Sequence, residues 1–216
     1  MERSRQDGFT VWDLVICLAV AAMLATWFAI IRQRTRVHVS RPYCASNLRQ
    51  VGLALRMWAN DHGERFPWQT PIAENGTKEL ADLPNASVHF AVVSNELVNP
   101  KILTCPQDVN RIRTNVWNAS LNLSLSYFVG LNAGETKTAA ILAGDRNVST
   151  NSATMVGLLT VQDLNQLQVT PGLHRTYVNV GLADGSVAQL KPADLRKTAA
   201  AEMKGLRNQP VRLVIP

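Results

Sequence analysis

The feature that most constrains this chain is a long apolar stretch near its N-terminus. It runs from Phe9 to Ile31 and reads FTVWDLVICLAVAAMLATWFAII, with Asp13 as its single charged residue. A helix of these 23 residues rises about 1.5 Å per residue and spans about 35 Å, enough to cross the hydrocarbon core of a bilayer. A secretory signal peptide has a shorter apolar region and a small-residue cleavage site, whereas this stretch continues into Arg32-Gln33-Arg34. The sequence therefore predicts a retained transmembrane helix over residues 9–31.

The residues before this stretch form a short polar leader, MERSRQDG, which ends at Gly8. Asp13 lies five positions after Gly8, inside the apolar stretch, where a carboxylate is costly unless it finds a partner. On hydropathy alone, a simple one-pass anchor is the alternative explanation. The combination of Gly8, Phe9-Thr10, the acid at Asp13 and an apolar run resembles the N-terminus of type IV pilins and type II secretion pseudopilins.

This resemblance implies a maturation step. In such proteins a prepilin peptidase removes the leader on the cytoplasmic side and methylates the new N-terminal residue. Here the leader would be residues 1–8, the cleaved bond would join Gly8 to Phe9, and Phe9 would carry the N-methyl group. Asp13 would replace the usual glutamate as the assembly carboxylate, neutralising the Phe9 amine of a neighbouring subunit at low dielectric. The chain departs from the pattern at Asp13, which is one methylene shorter than glutamate, and at Trp12, where an aliphatic residue is usual.

Two rules disagree about the topology of this anchor. The resemblance places the leader in the bacterial cytoplasm and exports the C-terminal part across the inner membrane. The positive-inside rule favours the reverse, because Arg3 and Arg5 precede the stretch while four arginines follow it: Arg32, Arg34, Arg36 and Arg41. We expect a single-pass inner-membrane protein with a cytoplasmic leader, since peptidase recognition requires that orientation.

A second helical pattern follows the anchor. Between Tyr43 and His62, apolar residues recur at spacings of four and three and form one stripe of an amphipathic helix. The stripe consists of Cys44, Leu48, Val51, Leu55 and Trp58. Gly63 is expected to end this helix, and Pro42 predicts a kink or an interruption near its start. We therefore expect a spine helix over residues 32–62, with a break near Pro42, whose apolar stripe packs on the chain's own sheet.

Residues 63–216 are predicted to form an exported globular domain. A polar connection covers 63–84, and a short helix is expected at about 87–98. Strand-like runs follow at 123–130, 138–143 and 154–161, Asp184-Gly185 predicts the turn of a hairpin over 177–190, and a last helix is expected from Pro192 to Gly205. The predicted fold class is α+β: a long N-terminal helix, transmembrane and then amphipathic, packed on a small antiparallel β-sheet domain in a pilin-like arrangement.

Three further motifs resemble a subgroup of prepilin-like bacterial proteins, the DUF1559-like proteins. The first joins a Cys-x-x-Asn-Leu-x-Gln-x-Gly-x-Ala segment to Ala-Asn-Asp and Phe-Pro, and its residues here are Cys44, Asn47, Leu48, Gln50, Gly52, Ala54, 58–61 and 66–67. The second is Cys-Pro-x-Asp at Cys105–Asp108, and the third is a histidine, nine residues and Asp-Gly, at His174 and Asp184-Gly185. If 176–183 is one strand at about 3.3 Å per residue, His174 and Asp184 lie about 30 Å apart. We therefore interpret His174 as structural and Asp184 as a turn former.

The chain has three cysteines, Cys17, Cys44 and Cys105. An exported domain meets an oxidising compartment, where Cys44 and Cys105 could form a disulfide between the spine helix and the Cys-Pro loop. Such a bond closes a loop of about 60 residues and contributes about 3–4 kcal/mol in the chain-entropy model. Two buried free thiols are the alternative. Cys17, within the apolar stretch, is interpreted as an apolar filler.

The sequence carries no recognised catalytic or metal-binding pattern. It has no Gly-x-Ser-x-Gly, no His-Glu-x-x-His and no set of zinc-spaced ligands, and its four histidines are scattered. Segment 130–138 only superficially resembles a phosphate loop, because Thr136 rather than glycine precedes Lys137. Asp145 and Asp184 are isolated acids, too few for a calcium site. The net charge of +6 does not form a basic stripe, so a nucleic-acid partner is not favoured. We expect no enzyme activity, no metal and no cofactor.

Together these patterns predict a structural pseudopilin-like subunit of a type II secretion or type IV pilus-like envelope assembly. Its expected partners are the prepilin peptidase, other pseudopilin subunits, the inner-membrane assembly platform and membrane lipid. The alternative is a membrane-anchored extracytoplasmic binding module, for glycan or DNA, without filament assembly. The two differ at Gly8 and Asp13, whose substitution would abolish the function of a filament subunit and would matter little to a plain tether.

Overall fold

The apolar stretch and the spine pattern lie in one helix. The computed structural model describes residues 11–134, 136–150 and 156–216, apart from the side chains of residues 32–41 and of Ala119. Helix α1 spans Val11–Asp61 and includes Pro42. The helix is thus not interrupted at Pro42, because a proline removes one backbone hydrogen bond while the turns on either side can continue; the kink stays a prediction. The chain divides into two units between Ser40 and Arg41, and the fold described below is that of the second.

Three shorter α-helices and eight strands follow α1 in the described residues. The helices are α2 (Ser87–Ala91), α3 (Ser94–Leu97) and α4 (Pro192–Gly205). The strands are β1 (Tyr127–Gly130), β2 (Ile141–Asp145), β3 (Val148–Ser149), β4 (Gly157–Val161), β5 (Gln168–Val169), β6 (Val178–Leu182), β7 (Val187–Leu190) and β8 (Val211–Ile215). Short 3-10 turns occupy much of the connection from α1 to β1.

Six of these strands form an antiparallel sheet in the order β4-β8-β1-β2-β6-β7, and β3 pairs with β5 in a separate ribbon. The predicted α+β class, with an N-terminal apolar helix and a largely antiparallel sheet, is confirmed at this level. The sequence did not predict β8, which lies inside the sheet. Its Val214 pairs with Leu158 of β4 on one side and with Val129 of β1 on the other.

The two faces of the sheet bury different cores, because successive side chains of a strand point to opposite sides. On one face, Tyr127 and Val129 belong to the same core cluster as the α1 stripe. On the other face, Phe128 clusters with Leu195 and Ala199 of α4. The stripe residues Cys44, Leu48, Val51, Leu55 and Trp58 are all at most 3% exposed. The predicted stripe therefore packs on the chain's own sheet, and α4 covers the reverse face.

Local patterns predicted some boundaries and missed others. Helix α4 has the predicted bounds, and the β6–β7 hairpin turns at Gly185, whose φ of 87° is the positive value that favours glycine. The region predicted as one helix at 87–98 holds α2 and α3 instead. Strand β1 begins later than the apolar run suggested, since a 3-10 turn at Ala119–Ser124 precedes it, and β2 begins at Ile141 rather than at residue 138.

Candidate functional site

The N-terminal part of α1 is an apolar helix whose side chains are exposed in the isolated chain. Val11–Ile31 has a mean hydropathy of 2.7 and is 0% buried. Val11, Trp12 and Trp27 are 68–78% exposed. Apolar surface on this scale is unfavourable in water and favourable in lipid or against other apolar helices. By length and composition, this segment near the N-terminus could be a membrane anchor or a signal sequence.

Only part of the predicted maturation site falls within the described residues. Gly8 and Phe9 lie outside them. Asp13 lies in the first turn of α1, inside the apolar segment, where the N-terminal end of the helix dipole favours a negative charge. Cys17 lies in the same segment as an exposed free thiol.

A buried polar cluster lies where α1 packs on the globular unit, and a disulfide is at its centre. The bond joins Cys44 of α1 to Cys105, which follows the 3-10 turn Pro100–Leu103. This is the pair that the sequence offered as a possible bridge, and the two residues are 0% and 1% exposed. The hydroxyl of Tyr127 donates to the carbonyl oxygen of Cys44 at 3.4 Å. Burial raises the pKa of Tyr127, so its phenol keeps the proton that it donates.

His174 lies against this disulfide. Its Nε2 is 3.5 Å from Cys105 Sγ, and its Nδ1 contacts Gln107 Oε1. Because an amide oxygen only accepts hydrogen bonds, Nδ1 carries the proton of that contact. Arg175 has a φ of 59°, in the left-handed region, and the chain turns so that His174 pairs with Tyr177. This turn leaves His174 only 2% exposed.

The acid beside His174 is Asp145, at the end of β2. Its Oδ2 lies 3.3 Å from His174 Nε2 and accepts hydrogen bonds from N and Nδ2 of Asn179 at 2.7 and 2.8 Å. Its Oδ1 has no hydrogen-bond partner within the described part of the chain, although the side chain is 0% exposed. The sequence did not identify Asp145 as a partner of His174. The sequence did contain a signal: Asp145 is the last residue of the strand Ile141–Asp145, whose other residues are apolar or glycine. A carboxylate at the end of a buried strand requires polar partners.

The Cys-Pro-x-Asp motif ends in an ion pair. Asp108 accepts hydrogen bonds from Nε and Nη2 of Arg146 at 2.6 and 2.8 Å and from Ser126 Oγ at 2.8 Å. Burial raises the pKa of Asp108, but these hydrogen bonds and the charge of Arg146 outweigh burial and hold the pKa below its usual value. Because Arg146 directly follows Asp145, this pair fastens the loop that carries Cys105 to the end of β2.

Asp184 has a separate structural position. It is exposed in the β6–β7 turn, where its Oδ1 accepts from the backbone N of Ser186 at 2.8 Å. Hydrogen bonds from Ser186 lower the pKa of Asp184. Its carbonyl oxygen accepts from Arg56 Nη1 of α1 at 2.8 Å. The carboxylate beside His174 is therefore Asp145 rather than Asp184, and Asp184 instead links the hairpin to α1.

Fold and site together define an α+β protein with an N-terminal apolar helix, a largely antiparallel sheet and a buried cluster of a disulfide, a histidine and a carboxylate. Comparison with known protein families, with curated proteins and with solved structures finds no match for this chain.

Proposed function

We propose that this chain is a structural, pseudopilin-like subunit of a type II secretion or type IV pilus-like envelope assembly, matured by a prepilin peptidase. The observation that carries the proposal is the pattern of Gly8, Phe9 and Asp13 leading into an apolar helix. The 21 residues Val11–Ile31 need lipid or the apolar helices of neighbouring subunits around them. A helix that passes from the bilayer into a filament meets both surroundings in turn.

The globular unit supports this proposal through its attachment to α1. The disulfide from Cys44 to Cys105 links the helix covalently to the domain, and the hydrogen bond from Arg56 to Asp184 adds a second link. Between them, the apolar stripe is buried in the core on the sheet. Such a helix can carry the domain with it when an assembly machine extracts the subunit from the membrane.

Asp13 is the assembly carboxylate in this proposal. Removal of residues 1–8 leaves a positively charged amine at Phe9, and Asp13 of a neighbouring subunit neutralises it in a low-dielectric environment. In such an environment the attraction between the Phe9 amine and the Asp13 carboxylate is strong, so this pair favours the assembled state. The partners are the peptidase, other pseudopilin subunits, the inner-membrane platform and lipid, and the role requires no catalytic step and no cofactor.

The first test is the intact mass of the membrane-extracted protein from cells with and without the peptidase gene. With the peptidase, we expect loss of residues 1–8 and gain of one methylene unit; without it, we expect the full-length chain. Gly8→Val should block cleavage, while Gly172→Val, at a glycine with open space around it, should not. A full-length chain in both strains would contradict the proposal and favour a membrane-anchored binding module for glycan or DNA.

The second test addresses Asp13. Asp13→Asn removes the charge and nearly preserves the shape, so we expect a processed subunit that no longer forms the multimers trapped by chemical cross-linking in the membrane. Asp61→Asn changes an acid at the other end of α1, outside the apolar segment, and should leave these multimers intact. Equal multimer yields for the two variants would remove Asp13 from the assembly mechanism.

A further inference from the structure

The buried cluster brings together the types of ligand that zinc prefers. Cys44 Sγ, Cys105 Sγ and one ring nitrogen of His174 lie within 4.8 Å of one another, and all three residues are buried. Asp145 lies outside this group of three but has a carboxylate oxygen 3.3 Å from His174 Nε2. Two thiolates, an imidazole and a carboxylate form a ligand set suited to a tetrahedral zinc ion.

Two of the distances between these atoms match edges of such a tetrahedron. With Zn–S of about 2.3 Å and Zn–N or Zn–O of about 2.0 Å, tetrahedral angles separate nitrogen from oxygen by about 3.3 Å and sulfur from nitrogen by about 3.5 Å. The distance from His174 Nε2 to Asp145 Oδ2 is 3.3 Å, and that from His174 Nε2 to Cys105 Sγ is 3.5 Å. Reducing the disulfide would free the two sulfur atoms to separate and complete the set.

The hydrogen bonds around His174 also orient it as a ligand. Its Nδ1–H donates to Gln107 Oε1, and its Nε2 faces Asp145 and Cys105. A metal-bound histidine typically donates its other ring N–H to an oxygen in this way. In addition, Asp145 Oδ1 is a buried acceptor without a hydrogen-bond partner among the described residues. A buried carboxylate with one unpartnered oxygen needs a positive charge or a donor beside it, and a metal ion would supply that charge.

We propose that the reduced chain binds one zinc ion through Cys44 Sγ, Cys105 Sγ, His174 Nε2 and the Asp145 carboxylate, and that the disulfide and the zinc site are alternative states of one cluster. A small dithiol reduces the disulfide to two protein thiols and becomes a disulfide itself. Zinc then binds both sulfur atoms as their two protons leave, and its own oxidation state does not change. Oxidation of the two thiolates by a small disulfide restores the protein disulfide, yields two small thiolates and releases zinc. This inference does not depend on the proposed filament role.

The test uses the full chain in detergent, purified without a histidine tag and with Cys17→Ser, so that only the two cluster thiols remain. One sample stays oxidised; the other is reduced with a phosphine in mild urea and returned to buffer without oxygen. Both are incubated with one equivalent of zinc and passed through a desalting column, and bound zinc is measured by elemental analysis. We expect one zinc per reduced chain, none per oxidised chain, and a zinc-dependent rise in melting temperature for the reduced chain alone.

Variants and a cobalt probe test the ligand set. Cobalt in place of zinc should give the visible absorption of a tetrahedral ion and a thiolate charge-transfer band in the reduced chain. His174→Asn and Asp145→Asn should each weaken zinc affinity by at least about tenfold. His62→Asn, at a histidine stacked on Trp58 outside the cluster, should not.

Three outcomes would overturn the proposal. The reduced chain could fold and retain no zinc, or it could remain unfolded when zinc is present, since a metal bound only by the folded state must stabilise that state. Zinc retention by the oxidised chain equal to that of the reduced chain, or an unchanged zinc affinity of reduced His174→Asn, would indicate binding elsewhere.

Discussion

Two buried titratable side chains affect the stability of the domain in opposite ways. Glu202 of α4 is 4% exposed, its Oε2 accepts a hydrogen bond from the backbone N of Ile141 at 3.0 Å, and burial raises its pKa from 4.5 to about 7. His89 is fully buried beside Thr77, and burial lowers its pKa from 6.5 to about 4. Between pH 4.5 and about 7, Glu202 therefore keeps a proton in the folded chain that it loses in the unfolded chain. Between pH 6.5 and about 4, His89 takes up a proton in the unfolded chain but not in the folded chain.

Glu202→Gln isolates the effect of the carboxylate. In the natural chain, the stability that Glu202 contributes through its retained proton is complete below pH 4.5 and is lost as pH rises through 7, because the folded state must then ionise a buried group. Glutamine retains an oxygen for Ile141 and does not ionise. We expect the free energy of unfolding of the variant, relative to the natural chain, to rise by about 1–3 kcal/mol between acidic and mildly alkaline pH. Urea unfolding at a series of pH values measures it.

His89 makes the free energy of unfolding change with pH in the opposite direction. Because the natural chain and Glu202→Gln both contain His89, its effect cancels in the difference between them. His89 makes both chains lose stability as pH falls from 6.5 towards 4, since the unfolded histidine gains a proton that the folded one does not. Glu64→Gln, at an exposed carboxylate after α1, is the control and should show no rise relative to the natural chain. If the difference in free energy of unfolding between Glu202→Gln and the natural chain does not change with pH, burial does not raise the pKa of Glu202.

The β6–β7 hairpin depends on one glycine at its turn. Gly185 has a φ of 87°, and a Cβ there would lie 3.0 Å from Arg56 Nη1, the group that donates to the Asp184 carbonyl. Gly185→Ala would strain the backbone, because alanine disfavours this φ, and its Cβ would displace the Arg56 side chain from the Asp184 carbonyl oxygen. We expect a loss of about 1–3 kcal/mol in the free energy of unfolding, measured by urea unfolding of the full chain in detergent.

Gly172→Ala is the matched control for this substitution. Gly172 has open space around its Cα and a φ outside the positive region. Its replacement should change stability by no more than about 0.5 kcal/mol. Similar losses for the two variants would show that the hairpin tolerates a side chain at Gly185.

Elements with a local signal were predictable, and elements defined by distant pairing were not. Pro192 in the first turn and Gly205 at the end identified α4, and Asp184-Gly185 identified a hairpin turn. β8 is a run of five residues, rich in Val and Ile, that follows a turn and Pro210; so short an apolar run does not by itself show which strands it will pair with. It is a strand because β4 and β1 bind it on both sides, and this pairing is not encoded in the five residues.

At the scale of the whole molecule, the sequence identified three residues of the buried cluster and missed two. Cys44, Cys105 and His174 stood out in motifs, and the extended-strand argument separated His174 from Asp184. The sequence could not show that Asp145 is the partner of His174. The two side chains meet because the chain turns at Arg175 and because Asp145 accepts hydrogen bonds from Asn179 on the neighbouring strand. Gln107 was missed for the same reason, since its contact with His174 joins two loops far apart in the chain.

The central position of β8 determines when the sheet can be completed. Among the described strands β8 comes last in the chain, yet it lies between β4 and β1. As the polypeptide leaves the ribosome, both neighbours are synthesised well before the strand that joins them. Until Val211–Ile215 arrives, β1 and β4 each have an edge with unpaired backbone groups that another nascent chain can bind. The sheet therefore reaches its final strand order in a late step, and the interval before that step is when the growing chain is most prone to aggregate.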